Sequence, residues 1–220
     1  MAPTKLQPDP ALLLRVETAF LEHGYGAPSL STLAEACELP PDALDDYFDD
    51  KNEAFRAVGR YRNEMALSTG LAAGRDLKAR GGNVVDIFGQ IMNVRFGDLR
   101  RVVNVTRHLP ELNVEAHKRC HDIIAAAAVA FQAEIAKLLV ECEADGLLRL
   151  RSYVTPERIA QALADGARGV NQHLPPIAPE ALPARYREMC GFVLFGCADL
   201  PAMPAPPRAR RGRKAKGKQD

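Results

Sequence analysis

The chain has 220 residues with 29 Lys or Arg against 28 Asp or Glu, a net charge of +1, so no global attraction to nucleic acid or to an anionic membrane follows. Its five cysteines, Cys37, Cys120, Cys142, Cys190 and Cys197, are scattered with no C-x-x-C pair, which suits a reducing compartment. There is no signal peptide and no run of about 18 apolar residues, so the expectation is a cytoplasmic protein with no membrane partner.

Residues 1–8 read as a disordered arm. Asp9 then caps a helix whose first residue is Pro10, with Leu13, Val16, Phe20 and Leu21 on one face and Gly24 at its end. Ser29 stands before Leu30, Leu33, Ala34, Ala36 and Cys37 and caps a helix of about two turns. Pro40 and Pro41 interrupt it, and Pro41 suits the first position of a new helix running to about Phe48. Asp50 caps a third helix while Glu53 reaches back to it. Helix, short joint, helix is the helix-turn-helix plan.

That third helix is expected to continue from Lys51 to about Ala79, with Tyr61, Met65 and Leu71 toward the body, and to break at Gly81 and Gly82. Helical patterning resumes from Val84 through Val105. A long helix from about Val114 to Ala144 follows, with Ile124, Ala127, Phe131, Ile135, Leu138 and Cys142 in one stripe and Gly146 closing it. Thr155 and Pro156 open the next helix, whose small residues let another backbone come close. After a proline-rich loop, Pro175 to Pro183, a last helix carries Tyr186, Met189, Cys190, Val193, Leu194 and Cys197. The tail, residues 201–220, has seven Lys or Arg against Asp220, a net of +6, and no core-forming residues. It is expected to be disordered and to attract polyanions through Arg208, Arg210, Arg211, Arg213 and Lys214. A solubilising terminus is the simpler account.

Leu12 to Val58 resembles the DNA-binding domain of the TetR family of bacterial transcription regulators. The resemblance rests on AFLEHGY at Ala19 to Tyr25 and LAEACELPPDALDDYFDDKNEAF at Leu33 to Phe55, with Phe20, Gly24, Tyr25, Leu33, Ala34, Ala36, Leu39, Leu44, Phe48, Lys51 and Phe55 at the family's positions. It implies an all-α protein with a three-helix helix-turn-helix domain at 9–58 and a larger helical sensor and dimerisation domain at 59–200. Ser29, Pro41, Ala43, Tyr47 and Lys51 would then meet duplex DNA. Phe88, Met92, Phe96, Val103, Phe131 and Ile135 would line a pocket for a small apolar or amphipathic effector, although pocket and ordinary core have the same composition. Leu163, Gly166, Ala167, Val170, Met189 and Val193 would pair with their copies in a homodimer, against the alternative that they are intrachain core.

The chain departs from the family pattern where DNA is read. Glu38 stands where the joint usually has glycine, and Pro40 where it has a capping serine. Pro41, Asp42 and Asp45 replace a basic residue, a glycine and a phosphate-contacting tyrosine. Asp42, Asp45, Asp46, Asp49 and Asp50 fall between Pro40 and Lys51 with no cation among them, and residues 1–60 carry five Lys or Arg against eleven Asp or Glu, a net of −6. Asp42 and Asp50 suit helix starts. Asp45, Asp46 and Asp49 do not, and they oppose contact with phosphate.

Two functions therefore stand: a ligand-responsive regulator that binds operator DNA as a dimer, and a protein that keeps this fold but binds a protein partner, a lipid or another small molecule instead. His117, Cys120 and His121 form a weak metal-ligand pattern if they share one helical face. No phosphate loop, nucleotide fingerprint or nucleophile elbow occurs, so neither a cofactor nor enzymatic activity is expected.

Overall fold

A computed structural model describes residues 5–97 and 106–201. Among these, eight α-helices account for almost all regular structure: α1 (Pro10–His23), α2 (Leu30–Ala36), α3 (Lys51–Ala79), α4 (Val84–Met92), α5 (Leu109–Arg119), α6 (His121–Ala144), α7 (Pro156–Asn171) and α8 (Leu182–Cys197). A minimal antiparallel pair, β1 (Arg149–Leu150) with β2 (Ala198–Asp199), ties the loop after α6 to the end of α8.

The caps decide where helices start. Asp9, Ser29, Asp50, Asn83 and Thr155 each accept from the backbone amide three residues on, satisfying a first-turn donor that has no helical partner. Glu53 reaches back as expected but one residue further, accepting from Asp49 N at 2.6 Å rather than from the amide of the cap residue Asp50. Gly24, Gly81 and Gly146 stop α1, α3 and α6 with φ of 76°, 80° and 72°.

Two hydrophobic clusters divide the molecule. The head core joins Leu12, Leu13, Val16 and Phe20 of α1 to Leu33 and Ala34 of α2, Leu44, Phe48, and Ala54, Phe55 and Val58 of α3. The body core joins Leu71 of α3 to Val84, Ile87, Phe88 and Ile91 of α4, Phe131, Ile135, Leu138 and Leu139 of α6, Leu163 and Ala167 of α7, and Tyr186 and Leu194 of α8. At about 1.5 Å per residue the 29-residue α3 is roughly 43 Å long and belongs to both. Gly70 and Gly74 let α4 cross it closely, since a Cβ at Gly74 would run into the Ile91 side chain.

Several sequence expectations are corrected. Pro41 to Phe48 is not an α-helix but one 3-10 turn, Ala43–Asp46, in which the amides of Ala43, Asp45 and Tyr47 reach back three residues, to Pro40 O, Asp42 O and Leu44 O, and that of Phe48 reaches back four, to Leu44 O. Aspartates that repel one another and compete for backbone donors do not carry the helix further. Lys5 and Leu6, expected in a disordered arm, finish that turn: Leu6 N donates to Asp46 O at 2.9 Å and Lys5 Nζ to Asp45 O at 2.7 Å. The helix expected from Val114 to Ala144 is two helices broken at Cys120, which is buried in the head core beside Gly59. Tyr61 packs on the head rather than the body, and Met65 is exposed. After Met92 the helix widens into a π turn, Asn93–Gly97. The expected continuation to Val105 and the basic tail lie outside the described residues. Helix α6 is long and apolar enough to cross a membrane by composition, but Phe131, Ile135, Leu138 and Leu139 bury one side of it in the body core.

Glu38 has φ of 58°, a left-handed conformation in the joint where a side chain is strained. Glu38→Gly should therefore stabilise the protein by roughly 0.5–1 kcal/mol in urea unfolding, the relief at the folded backbone exceeding the extra entropy of the unfolded chain. Gly74→Val should lower stability by about 1–3 kcal/mol, because the branched side chain has no space against Ile91.

Candidate nucleic-acid interface and effector site

The face of the head that would meet DNA is built from the start of α2 and the 3-10 turn. Ser29 is exposed, but its hydroxyl already caps Thr32 N at 3.1 Å and lies 2.9 Å from the Thr32 hydroxyl. Pro41 is exposed, whereas Ala43 and Tyr47 are half-buried against the head core. Asp42, Asp45, Asp46, Asp49 and Asp50 are all exposed around this turn.

The cations of the head are largely committed inside the chain. Lys51 donates to Tyr25 O at 2.7 Å and Pro28 O at 2.8 Å, and stands 4.7 Å from the centre of the Tyr25 ring. It closes the loop between α1 and α2. Lys5 pairs with Asp49 at 3.1 Å, Arg15 donates to Cys37 O at 3.0 Å, and Arg56 forms a two-pronged pair with Asp122 at 2.8 and 2.6 Å. The Arg56 guanidinium holds the Asp122 carboxyl down at about 2. Arg60 is exposed, and nothing in the described structure engages its guanidinium.

Helix α5 clamps the head to the body. Glu111 accepts from the amides of Tyr25, at 3.1 Å, and Gly26, at 2.6 Å, in the loop that leads from α1 to the reading face. A Cβ at Gly24 would push against the ends of the Glu111 and His108 side chains, so a larger residue there would disturb the Glu111 contact as well as strain the backbone angle. Arg119, at the end of α5, lies 4.3 Å from the centre of the Tyr25 ring, and Tyr25 packs against Phe20 and Phe55. Arg62 of α3 pairs with Glu17 of α1, and Thr106 donates to Leu21 O. None of these ties follows from helical periodicity, because each depends on residues brought together by the tertiary fold.

In the body, Phe88, Met92, Phe131 and Ile135 are buried and packed into the core, and Phe96 meets Phe131 edge-on at 5.6 Å. The expected effector-lining residues are thus brought together, as close-packed core rather than as the wall of an open cavity; Val103 lies outside the described residues. An open groove of about 600 Å3 runs instead between α3 and α6, floored by Leu67, Leu71, Ala130 and Ala133 and rimmed by Glu64, Arg75 and Glu134. The buried polar group near the predicted lining is Arg95, in the π turn, which sequence periodicity did not single out.

The expected dimer residues divide. Leu163, Ala167 and Val170 are buried inside their own chain, and Gly166 is covered by Met189, so these four are intrachain packing rather than a free face. Met189 and Val193 are half-buried. The apolar side chains that α8 leaves uncovered are Phe192, 74% exposed, and Phe195, 53% exposed.

The metal pattern is not assembled. The break at Cys120 turns its thiol into the head core while His117 and His121 stay on the surface. Among the described residues no group of three His, Cys, Asp or Glu side chains is placed to hold a metal ion. The five cysteines are unpaired; burial pushes the thiols of Cys37 and Cys120 up, that of Cys142 to about 11 and that of Cys190 to about 12.

No protein-family model and no curated protein matches the sequence. Solved structures do match in three dimensions. A putative TetR-family transcriptional regulator from Rhodococcus sp. is 21% identical with a TM-score of 0.61, over 83% of this chain and 96% of the other. A putative TetR-family regulator from Mesorhizobium loti is 14% identical with a TM-score of 0.62, over 86% and 96%. SmeT, the repressor of the Stenotrophomonas maltophilia multidrug efflux pump SmeDEF, is 16% identical with a TM-score of 0.59, over 86% and 89%. The match runs through head and body alike, so the chain has the fold of the TetR-family transcriptional regulators.

Proposed function

We propose that the protein is a transcriptional regulator of the TetR type, which binds operator DNA as a homodimer and releases or engages it when a small molecule binds in the body. The observation that carries this reading is the double attachment of the head. Helix α3 enters both cores, and Glu111 of α5 holds the Tyr25 and Gly26 amides beside the reading face. A ligand that moves α3 in the body moves the head with it, α5 travelling with the head, and the spacing of two heads sets operator affinity. The exposed hydroxyls at the start of α2 offer neutral phosphate donors, and the basic tail offers the charge that the head lacks. Phe192 and Phe195 supply an apolar face for the second copy.

One observation favours a second reading, in which the fold is kept and duplex binding is lost. Lys5, Arg15, Lys51 and Arg56 are all spent on contacts within the chain, while the aspartates around the 3-10 turn face solvent. A head of that charge suits a basic protein partner.

A mobility shift with the DNA upstream of its own gene, using the full chain and a chain ending at Leu200 at two salt concentrations, separates these readings. The regulator reading expects a shift that weakens with salt, and a truncated chain whose salt slope is shallower by about 0.9 for each phosphate contact the tail supplied. Absence of a shift by either chain at low salt would leave the second reading. The coupling is tested on its own through Asp122. Its folded value of about 2 lies below its ordinary 3.8, so its contribution is complete above about pH 4 and is lost as the pH falls through about 2. Asp122→Asn should remove that contribution at every pH, read as faster amide exchange where α3 and the start of α6 meet, with the body core unchanged.

A further inference from the structure

Arg95 is the one buried charged residue among the described positions, with 9% of its surface exposed. It sits in the π turn that follows α4, and α3 is able to approach because Gly70 has no side chain there; a Cβ on Gly70 would lie 3.2 Å from the Arg95 Cβ. The guanidinium lies 4.4 Å from the centre of the Phe131 ring and 5.3 Å from that of Phe96. Its Nη1 reaches Asn63 O only at 3.5 Å, and its Nε is buried with no hydrogen-bond partner. No carboxylate among the described residues pairs with it. Arg168 of α7 instead adds a like charge nearby, and burial together with that charge lowers the guanidinium to about 10.

The other arginines of the body show how unusual this is. Arg75, Arg151, Arg168 and Arg187 each face a carboxylate, Arg75 at 3.9 Å from Glu134 and Arg151 at 3.3 Å from Asp199. Those pairs lie at the surface, where water would have solvated the charge anyway. Arg95 is largely withdrawn from the surface, and no carboxylate among the described residues pairs with it. Aromatic faces offset part of the cost of an ion in such a place but leave the forked edge of the guanidinium unmet. A planar fork of N–H donors in an apolar setting is the group that takes a carboxylate two-pronged.

We propose that Arg95 is the anion-recognising residue of a binding site in the body, and that its ligand is a carboxylate carried on an apolar chain or ring. This deepens the effector half of the function proposed above and rests on it. The apolar part is required by the surroundings. Phe96, Phe131, Met92 and Ile135 offer no donors to solvate a free inorganic anion, and a hydrocarbon that parted them would be covered by apolar side chains. The packing around Phe131 is closed, so a ligand has to part side chains that touch, and a π turn in the adjoining chain is the kind of local irregularity through which a packed helix rearranges. The position also gives the ligand leverage, because Asn63, whose carbonyl the guanidinium reaches, and Gly70, which packs on the Arg95 Cβ, both belong to α3.

The test is calorimetric titration and thermal unfolding of the full-length protein, without DNA, using straight-chain acids of eight, ten and twelve carbons, the matching alcohols, the matching alkyl phosphates, and acetate. At least one acid should bind and raise the unfolding temperature, its alcohol should bind about 10- to 100-fold more weakly, and acetate should not bind. Arg95→Met should bring acid and alcohol to the same affinity and, in the absence of ligand, should unfold at a higher temperature than the original protein, since an unmet buried charge has been removed. Arg95→Lys, which keeps the charge without the fork, should retain a weakened preference for the acid. Equal binding of acids and alcohols, no binding by any acid, or unchanged acid binding in Arg95→Met would each overturn the proposal. Tighter binding of the alkyl phosphates would overturn the assignment to a carboxylate. Should Arg95→Met fail to fold, the acid against alcohol comparison in the original protein and in Arg95→Lys still decides. Operator binding is not read in these titrations, so a head that does not bind DNA and a body that does not bind acids are separate results.

Discussion

Everything in this molecule hangs on α3 being one unbroken rod shared by two cores. Its first turns are packed through Ala54, Phe55 and Val58 into the head, and its later turns through Gly70, Leu71 and Gly74 into the body. A helix keeps its internal hydrogen bonds when it moves, so a displacement imposed at one end arrives at the other as a tilt rather than being absorbed. The rod alone would let the head pivot about it. That freedom is removed by α5, whose Glu111 and Arg119 hold the Tyr25 loop, and by the Arg56–Asp122 pair at the start of α6. The break at Cys120 matters here, because it allows α5 to follow the head while α6 stays with the body.

The head shows how fold and surface charge can be separated in one element. Its core keeps the spacing of a helix-turn-helix through Leu33, Leu44, Phe48 and Phe55, all buried. Its surface does not keep the charge that usually accompanies that spacing. Lys51 illustrates the difference: a lysine at this position has been given three backbone carbonyls within the chain, those of Tyr25, Gly26 and Pro28, and so serves the loop geometry of the head. The same holds for Lys5, which satisfies carbonyls at the end of the 3-10 turn that a longer helix would have satisfied itself.

Much of the helical framework was legible in the sequence because helix ends are written locally. Asp9, Ser29, Asp50 and Thr155 act within three residues of themselves, and Gly24, Gly81 and Gly146 act through their own backbone angle. The strain at Glu38 belongs with them, since a residue standing where glycine is usual turns out to have a positive φ. What was not legible is what depends on distant partners. Nothing near Cys120 in the chain signals a helix break; the thiol is drawn toward Gly59, 61 positions earlier. The shortening of Pro41 to Phe48 was written in its aspartates but was outweighed by the apolar spacing of Leu44 and Phe48. Leu163, Ala167 and Val170 have a composition that fits a subunit interface and an interior equally well, and only the placement of α8 distinguishes the two. Nothing in the local sequence singles out Arg95, whose burial depends on α3 and α6 meeting around it.

Burial of the cysteines bears on the covalent chemistry open to this fold. Thiolate is the form that reacts with peroxide, with electrophiles and with other thiols, and four of the five sulfurs are held in the thiol form by their apolar surroundings as well as shielded from reagents by them. Oxidants and electrophiles therefore find little to modify at these four sites short of unfolding, and Cys197, half-buried at the end of α8, is the sulfur left within reach.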